Sequence, residues 1–164
     1  MRTHVAFLAL FTAAQPSAAG GARLGPLSVV IESELGRRAL GYHEVVFDDF
    51  LGIDRETANR VRRSVVPYLH SKWRKAGRAT RPYYGGILAT INDYRWHCAG
   101  HTYRKEKRMF CVAFHSEIDE SLVANQVDAA NGLPSILDGG IGMLSVLFSL
   151  ADGKVLELRW NSEA

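Results

Sequence analysis

The hydrophobic positions of the chain change their spacing part-way along it. Between Asp54 and Gly77 they recur every three or four residues, at Ala58, Val61, Val65, Leu69 and Trp73. Such spacing places them on one stripe of an α-helix. Asp54 suits the N-cap and Gly77 suits the position just after a helix. The pattern therefore predicts one main helix over this stretch.

Two features modify this predicted helix. Pro67 lies inside it and removes one backbone donor, which predicts a kink near residues 63–66 or a break into two helices. The face opposite the stripe is basic and carries Arg55, Arg62, Arg63 and Lys72. The apolar stripe is then the side that packs against the rest of the protein.

After Tyr83 the pattern is that of β-strands. Residues 87–92 are predicted to form a strand that ends in a turn. Two strand-like runs then flank the charged segment RKEKR at residues 104–108. Further on, residues 143–150 and 155–160 form a hairpin around Asp152-Gly153, which is the strongest hairpin-turn signal in the chain.

Other segments carry weaker patterns. Residues 27–35 begin like a strand, and Gly36 and Gly41 interrupt the pattern that follows. Residues 43–51 suit either a strand or a helical turn, which periodicity alone does not separate. A weak helix is predicted over residues 119–131 and a turn at residues 138–140.

These elements predict an α+β fold. One main N-terminal helix packs on a curved antiparallel sheet of four or more strands. No internal repeat, low-complexity segment or linker divides the sequence, so residues 20–164 are expected to form a single domain.

The first 19 residues have the layout of a secretory signal peptide. A short basic start precedes an apolar run at residues 5–14, and small residues at 17–19 suit a cleavage site. The alternative is a membrane anchor, but ten residues span only about 15 Å as a helix, half of a bilayer core. We therefore expect a periplasmic or secreted protein with no transmembrane segment in the mature chain.

Export changes the interpretation of Cys98 and Cys111. Two cysteines in an oxidising compartment suggest one disulfide bond. Direct opposition of the two would centre the hairpin turn between Arg104 and Lys105. A pair of reduced thiols with a redox role is the alternative, and the absence of a CxxC motif argues against it.

Strand alternation divides the cysteine hairpin into two faces. Trp96, Met109 and Ala113 share the predicted core face. The other face is a candidate partner-binding strip, because Tyr and Arg are common interface hot spots; it comprises Arg95, His97, His101, Tyr103 and Arg108. An ordinary solvent face explains the same pattern.

His97 and His101 also form an HxxxH pattern, which suits a metal site on a helix. On a strand the two lie about 13 Å apart, too far to share one tetrahedral ion. No metal or cofactor is therefore assigned.

The charge distribution is uneven. The whole chain has a net charge of +3, yet residues 55–108 hold 14 Lys or Arg against three Asp or Glu. A basic middle favours an acidic protein or another anionic macromolecule as partner, and Arg62 and Arg63 are further binding candidates. A merely solvated basic face is the alternative. Nucleic acid is disfavoured because export removes it and no binding motif is present.

A helix followed by a curved antiparallel sheet resembles the cystatin-like and NTF2-like architectures. The turns at 138–140 and 152–154, and the ending Trp160-Asn161-Ser162-Glu163-Ala164, are similar to small exported bacterial proteins of unassigned function. The resemblance begins at the helix and implies a fold rather than an activity. No QxVxG-type loop is present, so cystatin-like protease inhibition is not implied.

No catalytic motif stands out, and GxSxG is absent. The sequence therefore predicts a non-catalytic binding protein, with an inhibitor or immunity-type protein as its concrete form. The alternative is a small-ligand carrier or an enzyme that uses the cavity of a cystatin-like or NTF2-like sheet.

Overall fold

The computed structural model describes residues 24–118 and 140–161. Over these residues the chain forms an α+β fold with four α-helices and a six-stranded sheet. The helices are α1 (Ser33–Tyr42), α2 (Arg55–Arg62), α3 (Val65–Lys75) and α4 (Arg81–Thr90), and a 3₁₀ turn follows at Ile91–Asp93. The strands are β1 (Leu27–Val29), β2 (Asp49–Leu51), β3 (Tyr94–Tyr103), β4 (Glu106–His115), β5 (Gly140–Ser149) and β6 (Val155–Asn161).

Several predictions fall outside these residues. The signal peptide at 1–19 and the helix at 119–131 lie there, and so does the turn at 138–140 except for Gly140, which begins β5.

Strand β3 organises the sheet. It pairs with β4 along its whole length on one side and with both β1 and β2 on the other. β5 and β6 continue the sheet beyond β4. Because β1 runs parallel to β3, the sheet is mixed, and the expectation of a wholly antiparallel sheet is wrong. The expected curvature stays a prediction.

The predicted main helix is two helices. Asp54 caps the first, since its carboxylate accepts hydrogen bonds from the Thr57 amide at 2.7 Å and the Thr57 hydroxyl at 2.8 Å. The chain then breaks between α2 and α3, which confirms the second alternative for Pro67. Pro67 lies in the first turn of α3, where a helix needs no donor from it. Across the break, the stripe residues from Ala58 to Leu69 remain buried.

The strand predicted at residues 87–92 is wrong, because this segment belongs to α4 and the 3₁₀ turn. Pro82 suits the first turn of a helix, and Tyr84, Ile87, Leu88 and Ile91 follow at helical spacing. Among them, only Ile87 and Ile91 are fully buried. The apolar residues of this segment suit a strand in the sequence, but in the structure they pack as part of a helix.

The interruption predicted at Gly36 and Gly41 is also wrong, since both lie inside α1. Gly36 is buried, and its missing side chain leaves room for the ring of Phe50. β1 is confined to three residues of the predicted N-terminal strand. For residues 43–51 the sequence allows a strand or a helical turn, and the structure shows a loop followed by the short strand β2.

The sheet is covered on both faces. One core contains the stripe of α2 and α3 together with Trp96, Cys98 and Leu144. The other lies under α1 and contains Leu40, Val112 and their neighbours. β3 and β4 therefore contribute buried side chains to two cores.

Replacement of Gly100 by alanine should destabilise the sheet. A Cβ atom at Gly100 would overlap the carbonyl oxygen of Leu51 and lie 2.7 Å from the Ile53 side chain. We expect a loss of about 1–3 kcal/mol in the free energy of unfolding, measured by urea denaturation.

Gly41→Ala is the matched control. Nothing lies within 4 Å of a Cβ atom at Gly41, which sits inside α1. Alanine there should stabilise the protein by about 0.5–1 kcal/mol, since it orders the helix at lower entropic cost. A Gly100→Ala protein as stable as the wild type contradicts the close approach of β2 to β3.

Candidate functional site

The cysteine hairpin has the predicted register. Cys98 lies directly opposite Cys111 with their Cα atoms 4.1 Å apart, and the two form a disulfide bond. The pairs Trp96–Ala113 and His97–Val112 also match the prediction. Arg104 and Lys105 form the turn with φ of 50° and 68°, the left-handed geometry of a two-residue hairpin loop.

The predicted binding strip on the second face of this hairpin is largely covered. His101 is only 1% exposed and lies edge-on to Phe47, with ring centroids 6.5 Å apart. His97 is half-buried and stacks on Phe114 at 5.2 Å. The expectation that these imidazoles face outward is therefore wrong for His101, because α1 and the loop before β2 pack over this face.

The remaining strip residues are half-buried and engaged with their neighbours. Arg108 binds the Glu106 carboxylate at 2.5 Å and also lies 4.7 Å from the centre of the Tyr103 ring. Arg104 approaches the same ring at 5.2 Å. Arg95 is also half-buried. Tyr103, Arg104 and Arg108 therefore form a local cluster at the turn of the hairpin, whereas Arg95 lies at the opposite end of β3.

Burial lowers the pKa of both strip histidines. The pKa of His101 falls to about 4, through desolvation first and the nearby Arg108 second. The pKa of His97 is lowered by the same desolvation and by Arg95. Across residues 24–118 and 140–161, no group of three or more His, Cys, Asp or Glu side chains is placed to hold a metal ion.

The two predicted binding residues on α2 have different surroundings. Arg63 is exposed, as expected. Arg62 is only 5% exposed and donates hydrogen bonds to Gly25 and Asn59, so the expectation that it lies on an exposed face is wrong. Arg62 lies next to the stripe residue Val61 on α2, and its guanidinium reaches the carbonyl oxygen of Gly25 just before β1.

A basic surface that the sequence prediction did not single out lies on α3 and α4. Residues 57–92 contain eight Lys or Arg and no Asp or Glu. We define the α3–α4 basic surface by its five exposed cations, Lys72, Arg74, Lys75, Arg78 and Arg81. Within the described ranges, none of the five forms a salt bridge with a carboxylate.

An open cleft of about 520 Å³ lies within this surface, where α3 ends and α4 begins. Its apolar lining includes Trp73 and Pro82, and its cationic lining consists of Arg78 and Arg81. Gly85 of α4 leaves room for the indole of Trp73, whose Nε1 would lie 3.4 Å from a Cβ atom there. The cleft therefore offers one flat aromatic ring beside two guanidinium groups.

Contacts within the described residues hold the cleft in place. Arg81 donates to the carbonyl oxygen of Ala76 at 3.1 Å and so joins the end of α3 to the start of α4. At the other side of α4, Tyr83 stacks on Trp160 of β6 at 6.0 Å, and Tyr84 meets the same ring edge-on at 5.2 Å. The surface is thus anchored to both a helix and the sheet.

The sequence predicts Trp73 as the last residue of the core stripe, and this is wrong in part because the residue is 36% exposed. It lies one turn beyond Leu69, where α3 has passed the edge of the core. Two signals in the sequence indicate this surface. One is the 36-residue stretch without an acidic residue, and the other is Pro82 as a helix start.

Comparison with protein-family models, curated proteins and solved structures gives no match for this chain. The likeness to cystatin-like and NTF2-like architectures therefore stays a prediction. Among the helices that the structure describes, none is both long and apolar enough to span a membrane.

Proposed function

We propose that this protein is an exported, non-catalytic binding protein that engages an acidic protein partner through the α3–α4 basic surface. An inhibitor or immunity-type role is the concrete form. Export is supported by the Cys98–Cys111 disulfide, since such bonds persist in oxidising compartments.

One observation carries the proposal: five exposed cations lie in the last turn of α3, in the loop that follows and at the first residue of α4, and none of them forms a salt bridge within the described residues. Positive charges close together raise the electrostatic potential of a surface, and a bound anionic partner lowers that potential. Opposite potentials across an interface accelerate association and select partners by charge.

The aromatic residues favour a protein over a simple polyanion. Trp73 is 36% exposed and lines the same cleft as Arg78 and Arg81, and Tyr83 of α4 is 45% exposed. Trp, Tyr and Arg are the residues most enriched in the hot spots of protein interfaces. A polyanion without side chains of its own would use the charges but leave these rings uncovered.

The alternative, a ligand site or active site inside the sheet's cavity, has less support. Trp96 and Val146 fill one face of the sheet and Val112 fills the other, and all three are fully buried. A cavity lined by converging polar groups is the feature that favours a small-ligand site. Among the described residues, apolar side chains pack closely on both faces of the sheet.

Charge reversal on this surface tests the proposal. We expect Lys75→Glu/Arg78→Glu to weaken binding to poly-L-glutamate at low salt by at least about tenfold, because each reversed charge opposes the probe. The same variant should fail to retain the salt-sensitive partner that the wild type captures from an envelope extract. Titration calorimetry and pull-down measure the two effects.

The control is Lys105→Glu/Lys107→Glu at the tip of the cysteine hairpin. It makes the same change of charge on exposed residues of another basic segment. Binding by the α3–α4 basic surface predicts nearly unchanged affinity in this control. Equal losses in both variants would show that net charge alone attracts the probe, and no loss in either would overturn the proposal.

A further inference from the structure

A second cleft, distinct from the α3–α4 basic surface, contains a buried cation. Arg62 lies between α2 and the segment that leads into β1, and the residue is 5% exposed. No carboxylate forms a salt bridge with it among the described residues. Burial of an unpaired charge is costly, and native proteins generally neutralise such groups.

Three contacts fix the orientation of this guanidinium. Arg62 Nε donates to Asn59 Oδ1 at 2.8 Å, and Nη1 donates to the carbonyl oxygen of Gly25 at 2.8 Å. The group also lies 5.9 Å from the centre of the Trp96 ring. Nη2 makes no hydrogen bond to the described residues, and Arg62 is one of the residues that line the cleft.

The cleft has a volume of about 420 Å³ and combines polar and apolar walls. Arg55, Asn59 and Asn92 supply side chains that can donate hydrogen bonds. Leu24, Pro26 and Leu27 supply an apolar wall. Its volume lies within the range of small-ligand sites, roughly 300–1,000 Å³.

The pKa of Arg62 reflects its burial without an acidic partner among the described residues. Burial lowers it to about 10, and the neighbouring charges of Arg63 and Arg55 act in the same direction. The cleft therefore surrounds Arg62 with positive charge and with neutral donors. A bound anion would supply the charge that the chain itself does not.

We propose that this cleft binds a small organic acid, with its carboxylate on Arg62 Nη2 and its carbon skeleton against Leu24 and Pro26. A hydrogen bond from a guanidinium to a carboxylate is charge-assisted, and so is stronger than one between neutral groups. Arg55 at the rim adds a second positive charge. The site goes beyond the proposed partner binding, because none of its lining residues belongs to the α3–α4 basic surface.

Thermal denaturation with defined anions tests the site. Succinate and acetate are compared with chloride at constant ionic strength, and poly-L-glutamate is a separate arm for a protein-borne carboxylate. We expect succinate to raise the melting temperature by about 3 °C or more at saturating concentration. Poly-L-glutamate should act instead through Lys75 and Arg78, so the variant Lys75→Glu/Arg78→Glu should keep its response to succinate.

Asn59→Asp provides the sharpest variant. Its Oδ1 already accepts a hydrogen bond from Arg62 Nε, so the new carboxylate would neutralise the guanidinium in place. We expect a higher melting temperature without added anion and loss of the response to succinate. Arg55→Gln should weaken the response at least about threefold in apparent affinity, since it removes the charge at the rim.

Arg60→Gln is the matched control, because it removes an exposed charge of the same helix that neither lines the cleft nor contributes to the lowered pKa of Arg62. Its succinate response should equal that of the wild type. Failure of succinate and acetate to stabilise the wild type more than chloride would overturn the proposal. So would an unchanged response in Arg55→Gln, even if Asn59→Asp does not fold.

Discussion

Reduction of the Cys98–Cys111 disulfide is expected to lower the free energy of unfolding by about 3 kcal/mol, since the bond restricts a short loop of the unfolded chain. The bond joins the two strands with the most extensive pairing in the sheet. β1 and β2 both pair with β3, so loss of the staple weakens the strand to which the N-terminal part of the fold is attached.

Urea denaturation with and without reductant measures this effect. A typical urea dependence for a protein of this size converts 3 kcal/mol into a midpoint lower by about 1–3 M. The double variant Cys98→Ala/Cys111→Ala should unfold at a similarly low midpoint. It also serves as the control, because reductant should not change its midpoint any further.

Thiol titration supplies an independent check. The oxidised protein should show no reactive thiol after unfolding and two after reduction, because both cysteines are in the bond. Two thiols in the protein before reduction would refute the bridge. An unchanged urea midpoint on reduction would show that the bond contributes no stability.

The two hairpins were predictable from the sequence because their signals are local. The register of the first follows once Cys98 opposes Cys111, and the turn at Arg104 and Lys105 follows from the register. Asp152-Gly153 determines the second hairpin, in which Gly153 adopts a φ of 66°. In both, neighbouring residues specify the turn, and the turn specifies the pairing.

The helices were less predictable, because their local sequence patterns favour helix and strand about equally. Tertiary packing decides between the two. α4 contains apolar residues that suit a strand, but Gly85 and Gly86 let it approach Trp73 and Ile141 as a helix. α1 contains two glycines and still forms, since Leu40 and Ala39 pack into the second core. Propensity is a weak guide where burial supplies the larger free energy.

The candidate sites show the same limit. The uneven charge indicates a basic middle of the chain, and strand alternation places most of its binding candidates on the second face of the hairpin, with Arg62 and Arg63 on the helix. That prediction requires this face to be exposed to solvent. In the structure α1 and the loop before β2 cover it, so His101 is buried. Sequence spacing identifies residues that share a face, whereas the cover over that face comes from segments distant in the chain.

Acidification from pH 6.5 to pH 4 is expected to destabilise the protein by about 3 kcal/mol through His101. Both ring nitrogens of His101 are buried without a hydrogen-bond partner, and Arg108 lies directly opposite on β4. These surroundings lower the pKa of His101 from 6.5 to about 4 in the folded protein. Below pH 6.5 the unfolded chain therefore binds a proton that the folded protein excludes. The free energy of unfolding decreases as the pH is lowered from 6.5 to about 4. His97, whose pKa is also lowered, acts in the same direction.

His101→Leu should remove most of this dependence. The substitution replaces an imidazole without hydrogen bonds by an apolar side chain, so stability at pH 7 should be equal to or higher than that of the wild type. Urea midpoints measured at intervals between pH 7 and pH 4 should then fall less steeply in the variant. His70→Leu, on α3 at the opposite face of the sheet, controls for the loss of an imidazole elsewhere. A native His101 that titrates near pH 6.5 by NMR would contradict its burial, since only contact with water or an acidic partner keeps an imidazole near its ordinary pKa.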